Sequence, residues 1–199
     1  MDEPAQPTVV SFPIEVLDRI ERAVRRVQDC LDHGSRLFHD HGIRYAVGGS
    51  NAASLWIATV DKSAVRQARD VELAVYAVDI ERASDVVLAH GFTRMESAKA
   101  PSFGLIDSLS KRPILRLTTF EEFWEPQSQL EIEGVCRIQD YEVLTLDALV
   151  RQMLVRHKLD DRVDLRDMMD VGLVDATWPA KFSPEIGARL QHLLDTPDG

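Results

Sequence analysis

At 199 residues with 45% apolar content, the chain can bury one core, or one core with a helical appendage. A formal charge of -10 argues against broad, nonspecific nucleic-acid binding, which needs a basic footprint. Cys30 and Cys136 have no metal-ligand spacing and make no disulfide framework, no stretch approaches a membrane span, and Met1-Asp2-Glu3-Pro4 has no basic or apolar signal region, so a cytoplasmic protein without a membrane partner is expected.

Residues 1–12 read as a disordered, proline-containing tail. From Ile14 to His41, Ile14, Leu17, Ile20, Val24, Val27, Leu31 and Leu37 recur at helical spacing, with Gly34 a candidate break and Gly42 the stop. Arg44 to Val47 predicts the first strand, Asn51 to Ala58 a short helix, Val60 to Gln67 a loop and Asp70 to Ala77 the second strand. Asp79 is placed to cap a helix running to His90, which Gly91 ends. Phe92 to Glu96, Ser102 to Ile106 and Ile114 to Thr119 are strand candidates, with a loop from Thr118 to Gln129 and an edge strand at Val135 to Ile138. Helices are expected from Thr145 to His157, Leu159 to Val174 and Ser183 to Leu194. The order predicts an α/β (α+β) core with a mixed sheet flanked by helices. The expected boundaries are a core over 13–140 and a C-terminal helical segment over 141–199, packed on the core.

The chemistry concentrates between Tyr45 and Val75. An apolar strand runs into Gly48-Gly49-Ser50, and the next strand carries Asp70-Val71-Glu72. Side chains alternate along a strand, so Asp70 and Glu72 share a face. A glycine pair lets backbone approach a phosphate, and the following helix offers unpaired N–H groups to the anion. Ser50 can cap that helix or donate to a phosphate oxygen. Magnesium is held by one or two carboxylates plus substrate phosphates. Each motif has a plain reading too: Gly-Gly is often a turn, and Asp-x-Glu a solvated face.

In this order the motifs resemble the nucleotidyltransferase fold, and Arg66, four residues before Asp70, resembles the branch that includes abortive-infection-type toxins. Leu146-Asp147-Ala148-Leu149-Val150, then Lys158, Arg162, Asp164 and Arg166-Asp167, resemble that branch's helical segment. The resemblance spans residues 35–175. It implies a nucleoside triphosphate held at Gly48, Gly49, Ser50, Arg66 and Lys158, with Asp70 and Glu72 binding magnesium as the catalytic pair. The nucleotidyl group would pass to an acceptor hydroxyl on an RNA end, a protein or a small molecule such as an aminoglycoside, and a toxin–antitoxin-like setting would add a protein partner.

One departure opens a second reading. Where the family carries a third carboxylate, this chain has Leu115-Arg116-Leu117. An arginine there can pair with the carboxylates and take the place of the metal, leaving a degenerate binding module. Glu131 and Glu133 alternate along another strand candidate and are the acids that could restore the site.

Other candidates read structurally. His33, His39 and His41 fit a solvated helix end better than zinc. Asp164 and Asp167 share a helix face and fit an ion-pair brace with Arg162 and Arg166. Trp56, Trp124 and Trp178 fit core or surface anchors.

Overall fold

The computed structural model describes residues 14–95, 101–105, 114–123 and 134–196. In chain order the elements are α1 (Ile14–Asp40), β1 (Tyr45–Gly48), α2 (Gly49–Ala58), β2 (Val71–Val75), α3 (Ile80–Ala89), β3 (Phe92–Met95), β4 (Ser102–Leu105), β5 (Leu115–Thr119), β6 (Val135–Ile138), β7 (Tyr141–Leu144), α4 (Leu146–Arg156), α5 (Leu159–Asp170) and α6 (Pro184–Asp195). The seven strands form one mixed sheet in the order β3-β4-β5-β2-β1-β7-β6. β2 runs parallel to β5 and β1 parallel to β7, while the other neighbours are antiparallel.

All residues of β1 and β2 are buried. Strands covered on both faces need a helical layer on each, and alternation decides which side chain meets which layer. Leu73 faces α1, where a Cβ added at Gly34 would lie 3.3 Å from its side chain. Glu72 faces the other layer, reaching Gln152 and Arg156 of α4. α3 packs beside α1, while α2, α4, α5 and α6 pack among themselves. The core draws on both layers, with Phe38, Leu73, Leu115, Leu117, Leu149 and Leu165 fully buried.

Several boundaries differ from the sequence expectation for identifiable reasons. α1 is continuous through Gly34: that glycine permits close approach of helix to sheet rather than a break. Its apolar stripe is buried from Val27 onward, whereas Ile14, Leu17 and Ile20 are 71%, 52% and 55% exposed. Gly42, at φ +61°, ends the helix, with Ile43 N–H donating to the Phe38 carbonyl. α2 starts at Gly49, two residues earlier than expected, and the Asp79 side chain makes no cap bond to α3. α5 stops at Asp170, where Gly172 at φ +78° turns the chain. β7 was not expected; it pairs with the edge strand β6 through a two-residue turn at Gln139-Asp140, with Gln139 at φ 54°. Gln-Asp lacks the glycine that usually marks such a turn.

The tail, Glu96, Ile106, Trp124, Glu131 and Glu133 lie outside the described residues. Among the described residues no helix is long and apolar enough to cross a membrane.

Candidate functional site

The parallel register of β2 and β5 sets Arg116 directly beside Glu72. This is the position where the resemblance implied a third carboxylate. Arg116 Nη2 donates to Asp70 Oδ1 at 2.8 Å and lies 3.9 Å from Glu72 Oε2. Asp70 and Glu72 therefore share a face as expected, with a guanidinium between them.

A second arginine closes the site from the helical layer. Arg156, the last residue of α4, donates through Nη1 to both Glu72 oxygens at 2.6 Å, and through Nη2 to Asp161 at 2.5 Å. Gln152, one turn earlier, donates Nε2–H to Glu72 Oε1 at 2.8 Å and accepts the Gly49 N–H at 3.0 Å. Thr118 Oγ1 donates to Glu72 Oε1 at 3.4 Å. A carboxylate that is only 2% exposed needs this many partners, because an unpaired buried charge is prohibitive.

The two glycines serve this arrangement. Gly49 sits at φ +56°, and an added Cβ would lie 3.2 Å from Glu72 Oε2. A Cβ at Gly48 would meet both polar ends of Gln152 at 3.1 Å. Gly48 is buried behind Gln152 and does not line the cleft, whereas Gly49 and Ser50 do. Ser50 does not cap α2; its hydroxyl donates to Asp164 Oδ2 at 2.6 Å. The Asn51 side chain holds the Asp70 carbonyl at 2.6 Å, tying α2 to the start of β2.

Arg66 and Lys158 reach the same cleft, of about 120 Å³, as do Arg69, Asp160 and Asp161. Five cationic side chains and four acidic ones line it, in a chain of net charge -10. Arg66 Nη1 donates to Asp167 at 3.2 Å. Asp164 and Asp167 brace α5 against Ser50 and Arg66, and Arg166 reaches the Thr196 carbonyl. Among the described residues, Arg69 and Lys158 make no ion pair.

Burial raises the Asp70 carboxyl above its ordinary range, and Arg116 offsets part of that. Burial likewise pushes Asp164 up to about 6, against the lowering effect of the Ser50 hydrogen bond. For Arg156, burial acts to lower the pKa, but the carboxylates of Glu72 and Asp161 outweigh it and hold the guanidinium above its usual value.

Asp164 makes stability depend on pH. Unfolded, it loses its proton near the ordinary 3.8; folded, near 6. Between these values the folded chain holds the extra proton, so stability falls as pH rises through that window. Above it the penalty is complete, on the order of 2 kcal/mol for a group still partly solvated. Asp164→Asn keeps an acceptor for Ser50 and should be more stable than wild type above pH ~7 but not near pH ~4. Urea unfolding at the two pH values checks this; equal differences at both would refute it.

Magnesium, implied by the fold, does not fit this donor set. Both Glu72 oxygens are taken by Arg156, with Gln152 and Thr118 on Oε1, and Asp70 gives one oxygen to Arg116. Among the described residues no three His, Cys, Asp or Glu side chains group as metal ligands. His33 stacks on Phe92, and His41 packs edge-on against His90.

The fold is that of the nucleotidyltransferases. The chain is similar to an antigenic nucleotidyltransferase-like protein from Paracoccidioides brasiliensis (TM-score 0.56, 13% identity, covering 85% of this chain and 88% of that one). It is also similar to the antibiotic-resistance factor ANT(2'')-Ia (0.53, 10% identity, 87% and 93%) and to a candidate nucleotidyltransferase from H. pylori (0.50, 12% identity, 89% and 79%). No protein-family model matches the chain, and a search of curated proteins finds no match.

Gln152 and Arg156 are the site residues that sequence reasoning missed. Their spacing of four on one helix face was a signal, but nothing in it names Glu72 as the partner, 80 and 84 residues away.

Proposed function

We propose that this protein is a nucleotidyltransferase-fold binding module, which holds a nucleoside triphosphate in the cleft and does not transfer the nucleotidyl group. The observation that carries this reading is Arg116: it stands beside Glu72 and pairs with Asp70, where catalysis would want a metal between carboxylates. The triphosphate would lie along Gly49 and Ser50, with Arg66 and Lys158 at the rim, Lys158 acting as a point charge. A cytoplasmic setting, where nucleoside triphosphates are at hand, belongs to the proposal.

The experiment is calorimetric titration with a nonhydrolysable nucleoside triphosphate, beside an assay for label transfer from radioactive triphosphates to RNA, protein and aminoglycoside acceptors. Binding without transfer is the expected result. Transfer that disappears in Asp70→Asn would overturn it.

One observation favours the enzyme reading: Gly49, Ser50, Arg66, Lys158, Asp70 and Glu72 do converge on one cleft. In that reading Asp70 and Glu72 hold magnesium, and Arg116 and Arg156 must swing away first.

A further inference from the structure

Glu72 is held from two sides, and the second side changes what the cleft can bind. Arg116 alone would leave one edge of the Glu72 carboxylate open to an incoming cation. Arg156 removes that edge: its Nη1 lies 2.6 Å from each Glu72 oxygen, and Asp161, itself buried, fixes the other end of the guanidinium. A planar guanidinium on a carboxylate has little freedom to move, because each hydrogen bond restricts the same rigid fork. Gln152 adds a third constraint and carries it to the Gly49 N–H.

Resting on the reading that the cleft takes a nucleoside triphosphate, we propose that Arg116 and Arg156 form a built-in pair of cations that does the charge neutralisation of divalent metal, so that the polyphosphate group binds directly to the protein and metal is kept out. Arg116 contacts the phosphates. Arg156 is a positioning residue that neutralises Glu72 and keeps its charge from repelling the anion. Several features of the cleft support the assignment. Arg116 is one-third exposed in the cleft and uses a single donor on Asp70, which leaves its other terminal donors for an anion. Arg69 and Lys158 stand at the rim without an ion pair among the described residues. Arg116 pairs with Asp70, and Arg156 is shared between Glu72 and Asp161, which weakens the repulsion these carboxylates would exert on a phosphate.

This reading makes a distinction that Arg116 alone would not. If Arg116 were the whole obstacle, Arg116→Asp would create a metal site. With Arg156 still on both oxygens of Glu72, that variant should bind no metal, and the double variant Arg116→Asp with Arg156→Gln should.

The test has two arms. In the first, the full wild-type chain is titrated calorimetrically with inorganic tripolyphosphate and with each of the four ribonucleoside triphosphates, in EDTA and in magnesium. The expected result is binding in EDTA that magnesium does not improve. Tighter binding by a nucleotide than by tripolyphosphate assigns the site to nucleotides; equal binding assigns it to the polyphosphate alone, and both outcomes keep the cation pair. Binding only in magnesium overturns the inference while leaving a nucleotide-binding protein. No binding under either condition removes the nucleotide reading as well.

In the second arm, manganese is titrated against wild type, the two single variants and the double variant, followed by its paramagnetic resonance signal and by the melting temperature. Manganese should bind and raise the melting temperature in the double variant alone, since a metal that binds only the folded state stabilises it. Manganese binding by wild type or by Arg116→Asp alone, or a folded double variant that ignores the metal, overturns the inference. If the double variant does not fold, the EDTA titration of wild type still decides.

Discussion

Arg156→Ala should destabilise the fold by about 3–5 kcal/mol, measured as the loss of unfolding free energy in urea. The reason is the charge left behind. Glu72 is 2% exposed on a central strand, and Arg156 is its one cation within 3 Å among the described residues. The substitution also leaves Asp161, which is equally buried, without its partner. A second substitution separates this from lost packing: adding Glu72→Gln removes one stranded charge while keeping partners for Gln152 and Thr118, and should recover a large part of the loss. A loss below ~1 kcal/mol in the single variant would mean that Glu72 does not depend on Arg156.

Arg116→Ala should instead act on binding. Its side chain is 34% exposed at the cleft, so its ion pair with Asp70 is solvated and adds little to stability. In the proposed site it contributes a charge-assisted hydrogen bond to phosphate, of about 2 kcal/mol, so triphosphate affinity should fall about thirtyfold. The salt dependence of binding should weaken as well, because one cation fewer opposes the anion. Calorimetry at two ionic strengths reads both. Unchanged affinity would place the phosphates away from Arg116, and the binding proposal would then lose its carrying residue.

The two variants divide the site into parts that were legible in the sequence and parts that were not. Arg116 could be found through the resemblance, which puts a third carboxylate at the middle position of Leu115-Arg116-Leu117, and the register pairs that position with Glu72. Arg156 could not. A basic residue in the last turn of a helix is ordinary, since it complements the helix dipole, and sequence alone attaches no further partner to it. The Asp164 and Asp167 brace was half legible. Their shared face was right, but partners on α2 and the loop after it, Ser50 and Arg66, had no local signal.

The glycines show the same division. Gly-Gly-Ser after a strand marked the turn and the helix start, and both are present. Its reading as a phosphate cradle put Gly48 in the cleft, yet Gly48 is glycine because Gln152 packs on it. Gly34 was read as a helix break, and it is a packing position against Leu73. A missing side chain in the sequence does not say whether the space serves backbone freedom or a neighbour.

By itself, then, the sequence determined the helical and strand periods, the mixed α/β order and the shared face of Asp70 and Glu72. These follow from local stereochemistry, which repeats every two or 3.6 residues and needs no knowledge of distant chain. The tertiary structure alone decided that Arg156 and Gln152 close on Glu72, that Asp161 fixes Arg156, and that Ser50 turns to Asp164. Those contacts depend on how α4 and α5 pack across the sheet, and a buried charge is satisfied by whichever donor that packing brings within 3 Å, however far away it lies in the sequence.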